Sequence, residues 1–123
     1  MSLTIFKVQV SPFGRAYPIR IFVSPQGSYI KDVNTDNIVV FPPSSSIQFV
    51  LDTFNFSHVN VVNPTGTTIQ LQDYDFVNNM PVGNSVTLTY TNYLSDTYTT
   101  YTHYVLVNIS NIQNSGEIAI YIW

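Results

Sequence analysis

At 123 residues the chain can bury one substantial core but not two independent ones, so residues 1–123 are read as a single domain. Hydrophobic residues make up 45% and charged residues only 9%, which excludes disorder, because disorder needs weak hydrophobicity with high net charge. The absence of cysteine excludes a disulfide framework, a thiolate metal site and blue-type copper, while a net charge of −3 with only four basic residues excludes a dense phosphate-gripping patch.

The predicted elements are strands almost throughout. "LTIFKVQV" alternates, with Phe6, Val8 and Val10 on one face and Lys7 and Gln9 on the other. Lys7 and Gln9 also break up any signal-peptide apolar region, so no cleaved leader is expected, and no apolar run approaches membrane-spanning length. In "AYPIRIFV" the residues Tyr17, Ile19, Ile21 and Val23 share a face, and Pro18 calls for an edge or a strand start. "SPQGS" and "NTDN" are turn formers bracketing a short "YIKDV" strand. "NIVVF" stops at "PPSSS", and "SIQFVLDTFNFSHVNVV" is too long for one strand, so it should bend near Asp52 or Thr53. After the "NPTG" turn comes "TTIQLQDY", then an expected loop, "DFVNNMPVGNS". "VTLTYTNY" sets Val86, Leu88 and Tyr90 against Thr87, Thr89 and Thr91. "TYTTYTHYVLV" reads as one strand, with Tyr101, His103, Val105 and Val107 on one face and Thr100, Thr102, Tyr104 and Leu106 on the other. "EIAIYIW" closes the chain, and Trp123 suggests a docked terminus.

Eight or nine short strands with no helical periodicity predict an all-β, single-domain antiparallel β-sandwich. A jelly roll is preferred over an immunoglobulin-like sandwich. The immunoglobulin hallmarks fail, since there is no Cys pair and Trp123 is the only tryptophan.

Candidate chemistry is sparse. His103 lies in line with apolar neighbours and no nucleophile elbow surrounds any serine, so it reads as structural. His58 and His103 offer only two ligands where zinc wants three or four. Asp32, Asn34 and Asp36 alternate as in a calcium loop, but Asn37 and Pro43 stand where an EF-hand needs Gly and Glu, which favours an Asx turn. Asp73 and Asp75 could pair for glycoside chemistry, though two acids on one strand more often mark a strand leaving the core. The sequons at Asn55 and Asn108 match chance in so asparagine-rich a chain. Neither cofactor nor metal is expected, and the chain reads as non-enzymatic.

Two compositional features point to partners instead. All four basic residues, Lys7, Arg15, Arg20 and Lys31, precede Asp32, and all seven acidic residues lie from Asp32 onward. Lys7 and Arg20 should face outward and Arg15 should sit in an end connection, so this segment could meet nucleic acid, an anionic membrane or an acidic subunit surface, or simply pair with acids that the fold brings close. Nine tyrosines supply rings with a polar tip, and Tyr90, Tyr93, Tyr98, Tyr101 and Tyr104 are candidates for interface or sugar-stacking contacts. In length, strand number, Thr/Asn/Tyr/Ile-rich style and segregated charge, the chain resembles small single-jelly-roll minor capsid or penton-type proteins of turreted icosahedral archaeal viruses from hot acid springs. The resemblance implies a structural virion protein that forms a homo-oligomer such as a pentamer and contacts other virion proteins. The alternative is an extracellular or cell-surface carbohydrate-binding or adhesion module.

Overall fold

Strands built on alternating β-branched and polar residues dominate the computed structural model, which describes residues 4–7, 17–32, 38–53, 57–62, 66–89, 95–102 and 104–122. In chain order they are β1 (Ile5–Lys7), β2 (Tyr17–Val23), β3 (Ser28–Asp32), β4 (Ile38–Phe41), β5 (Ile47–Asp52) and β6 (His58–Val62). Then come β7 (Thr68–Asp75), β8 (Met80–Thr89), β9 (Ser95–Thr99), β10 (Tyr104–Ser110) and β11 (Gly116–Ile122). No helix occurs among the described residues. The chain is an all-β sandwich.

One sheet has five strands in the order β1-β5-β10-β7-β8, and the other has six in the order β4-β3-β2-β11-β6-β9. Among the described strands only β1, which runs parallel to β5, departs from antiparallel pairing. The pairings are nested: β2 with β11, β5 with β10, β6 with β9, and β7 with β8. Sequence neighbours β5 and β6 therefore lie in different sheets, as do β9 and β10.

Period-two alternation decides what fills the space between the sheets. Ile19, Ile21 and Val23 on β2 and Ile118, Ile120 and Ile122 on β11 cluster with Phe49, Leu51, Val105, Val107, Ile69 and Leu71 from the five-stranded sheet. All of these are fully buried. Each such side chain contributes about 1.5–3 kcal/mol from burial, and β-branched residues pack the pleated surface with little rotamer loss. Pro18 falls at the start of β2, where a strand tolerates its missing N–H.

The expected bend near Asp52 and Thr53 is where the chain leaves β5 and changes sheets. Three expectations need correction. The number of strands among the described residues is eleven rather than eight or nine. "TYTTYTHYVLV" is not one strand: Thr97–Thr99 end β9, residues 100–102 turn the corner between the sheets, and β10 begins at Tyr104. Tyr101 therefore does not share a face with Val105 but is 89% exposed. Residues 80–85 of the expected loop "DFVNNMPVGNS" are strand, and only 76–79 turn, with Asn79 at φ 52°.

The β7–β8 hairpin accounts for that last miss. Between the Leu71↔Val86 and Asp73↔Val82 pairs, β8 advances four residues while β7 advances two, which makes a bulge at Gly83, Asn84 and Ser85. Gly83 has φ +75°, a conformation that glycine takes without strain. The Gln72 amide steadies the bulge by donating to the Gly83 carbonyl at 2.8 Å. Residues that look like loop formers thus serve an irregular edge strand.

Candidate functional site

The outer face of the six-stranded sheet sets two of the basic candidates, Arg20 and Lys31, beside exposed apolar side chains. Antiparallel register sets Tyr29 between Phe22 and Val40, and Lys31 between Arg20 and Ile38, so all six side chains share one face. The Phe22 and Tyr29 rings stack at 5.4 Å between centroids with planes 20° apart. Val40 is 74% exposed and Ile38 49% exposed on β4, which ends the sheet among the described strands.

Arg20 and Lys31 are like charges directly opposite each other, an arrangement that costs energy unless an acid offsets it. Glu117 does so from β11, accepting a hydrogen bond from Arg20 Nη1 at 3.1 Å. Both partners are about half exposed, so the pair is worth up to about 1 kcal/mol. Arg20, Phe22, Tyr29, Lys31 and Glu117 line a shallow depression of ≈ 210 Å³.

A second arrangement lies at the corner between β9 and β10. Asp73 leaves β7 on the core side, 6% exposed, and reaches across to the other sheet. Its Oδ1 accepts from the Tyr98 hydroxyl at 2.9 Å and from Thr100 Oγ1 at 2.7 Å, and its Oδ2 accepts from the Tyr101 backbone N–H at 3.0 Å. A buried carboxylate is retained only where such donors replace its water. Burial pushes the Tyr98 phenol well above the ordinary tyrosine range, and the hydrogen bond to the Asp73 carboxylate adds to the shift. Asp75, two residues on, caps the hairpin turn instead. It accepts from Asn78 Nδ2 at 2.7 Å and Val77 N at 2.8 Å, and the Asn78 amide is the main reason its carboxyl is held below the usual range. The two acids face different tasks and do not form a pair.

The sequence candidates divide accordingly. Arg20 points outward as expected and Lys31 joins it on the same face. Tyr98 is only 8% exposed, its hydroxyl held by Asp73, so it is a support and the open ring at that corner belongs to Tyr101. Tyr104 is half-buried against Phe76, edge to face at 4.6 Å. Arg15, Tyr90, Tyr93, His103, Asn34, Asp36, Asn55 and Trp123 lie outside the described residues, as does the side chain of Lys7.

Asp32 is fully buried at the end of β3. His58 shares a hydrogen bond with the Ser57 hydroxyl at 2.9 Å. Among the described residues no three His, Asp or Glu side chains converge as metal ligands. Asn108 faces outward in a row with Gln48 and Gln70 across three strands. Sequence reading missed Asp73 as a tie between the sheets because its partners lie 25 to 28 residues away. No family model matches the chain, and neither a curated protein nor a solved structure matches it.

Proposed function

We propose that this protein is a non-enzymatic structural subunit that associates with copies of itself through the open edge and outer face of the six-stranded sheet. The observation that carries this reading is β4: its outward residues Ile38 and Val40 are exposed and apolar, and none of its four residues is charged or proline. Natural sheets blunt such edges with charge, proline or bulges unless a partner covers them. β8, which ends the five-stranded sheet on the side of β9, shows such blunting with Pro81 and the Gly83 bulge.

A second copy is the occupant that fits. Two β4 strands paired antiparallel would set Ile38 and Val40 of one copy beside those of the other, a self-complementary contact of the kind a two-fold interface requires. The Lys31 side chains would stay three strand spacings apart, about 14 Å. That exceeds the Debye length of about 8 Å at physiological salt, so their repulsion would be largely screened.

The nested strand pairing supports a finer reading of the sandwich as a jelly roll, an architecture used by viral capsid and lectin domains. By fold-level analogy, and by the sequence resemblance to archaeal virion proteins, the setting proposed is a virion shell, where the cationic Arg20 and Lys31 face would adjoin acidic neighbours. Native mass spectrometry over a range of concentrations tests the core of this. Wild type should form concentration-dependent oligomers and Val40→Lys should remain monomeric with an unchanged circular dichroism spectrum. A wild-type chain that is monomeric throughout the range would sink the proposal.

A further inference from the structure

We propose that the cleft between β8 and β9 binds a neutral, hydroxyl-rich ligand, a pyranose ring of an oligosaccharide. The site is independent of self-association through β4, since β4 and β9 lie at opposite ends of the six-stranded sheet. β8 ends the five-stranded sheet on the same side, and the two edges leave between them a recess of ≈ 340 Å³ lined in part by Asp73, Val82, Asn84, Val86, Tyr98 and Tyr101. This lies at the small end of ligand pockets, which span roughly 300–1,000 Å³.

Three features supply what a sugar needs. Tyr101 is 89% exposed on a backbone held by the hydrogen bond to Asp73, so an aromatic face is open to the apolar C–H side of a pyranose. A carboxylate offers about four acceptor positions. Among the described residues Tyr98, Thr100 and the Tyr101 N–H use three of those on Asp73, which leaves the fourth for a ligand hydroxyl where Asp73 borders the recess. The bulge in β8 brings the Asn84 amide to the rim, adding a donor and an acceptor in the way bulges re-aim side chains at binding sites. Val82 and Val86 complete an apolar wall.

Charge narrows the class. The described lining holds one carboxylate and neither Lys nor Arg, so an anionic sugar or a phosphate would be repelled by Asp73 with nothing to offset it.

The test is nuclear magnetic resonance titration of the ¹⁵N-labelled full chain with neutral pentasaccharides of α-glucan, β-glucan, mannan and galactan type. At least one should give saturable shifts confined to residues 82–86 and 98–101, with a dissociation constant between about 10 μM and 10 mM. Tyr101→Ala should weaken it at least about tenfold with an unchanged melting temperature. Asn84→Ala should weaken it less, and a sialylated oligosaccharide should not bind. The inference is overturned if none of the four perturbs these resonances at about 20 mM, or if folded Tyr101→Ala binds as wild type does. Saturation of the same resonances by tetramethylammonium, with no response to any saccharide, would overturn it in favour of a cation site. Oligomerisation lost in Val40→Lys with sugar binding intact would separate this site from the assembly surface.

Discussion

The outer faces of the two sheets are built on opposite principles. The five-stranded sheet covers an apolar cluster on its outer face: Val50 is fully buried there, Leu106 is 5% exposed and Tyr74 7% exposed, with Phe76 and Tyr104 packed on them. Tyr74 meets Phe76 edge to face at 4.9 Å, and Phe76 meets Tyr104 likewise at 4.6 Å, a geometry worth about 0.5–1.5 kcal/mol per pair beyond burial. The outer face of the six-stranded sheet, over β2, β3 and β4, has aromatic and aliphatic residues too, but Tyr29, Ile38 and Val40 remain exposed beside two cations. One apolar cluster is consumed by the fold and the other is left exposed.

Truncation would test this difference most strongly. Leu106→Ala should cost about 2–5 kcal/mol, as for a filled core site, whereas Val40→Ala should stay within about 0.5 kcal/mol. Urea denaturation at low protein concentration measures both, and equal costs would erase the contrast between the faces.

The next largest effect should come from the tie at Asp73. An amide there keeps one acceptor but loses charge-assisted bonds, so Asp73→Asn should destabilise by about 2 kcal/mol. Because the tie joins the sheets rather than covering either outer face, the loss should be the same in wild-type and Val40→Lys backgrounds, read from urea midpoints.

A pH dependence follows from Tyr98. Its folded pKa is raised, so its contribution is fully present below the ordinary tyrosine pKa of about 10 and falls as pH climbs above that value. Thermal melts between pH 8 and 11 should therefore show a drop in wild type that is smaller in Tyr98→Phe. Superimposable slopes would remove Tyr98 from this account.

The smallest effect belongs to the open face. Arg20→Gln should change stability by no more than about 0.5 kcal/mol, and less in 0.5 M salt, because its pair with Glu117 is exposed and screened. A larger, salt-independent loss would mean that this face is as structurally committed as the other.

Much of the architecture is written locally. Ile19, Ile21 and Val23, and likewise Ile118, Ile120 and Ile122, declare their buried face by alternation alone, because a strand exposes successive side chains to opposite sides whatever it pairs with. The same alternation turned Arg20 outward before any partner strand was known, and the order of residues alone separated the basic segment from the acidic remainder. What alternation lacks is any record of pairing. "TYTTYTHYVLV" has an unbroken strand composition, yet Thr100 Oγ1 and the Tyr101 N–H find Asp73 on another strand and the chain turns there into the second sheet. "MPVGNS" has loop composition, yet β7 supplies partners that make it strand around a bulge. Both outcomes rest on hydrogen bonds to another strand, 27 and 28 residues away at the corner and 11 residues away at the bulge. Only the folded chain brings such partners together, and so the corner, the cleft beside it and the exposed edge at β4 were decided by tertiary structure.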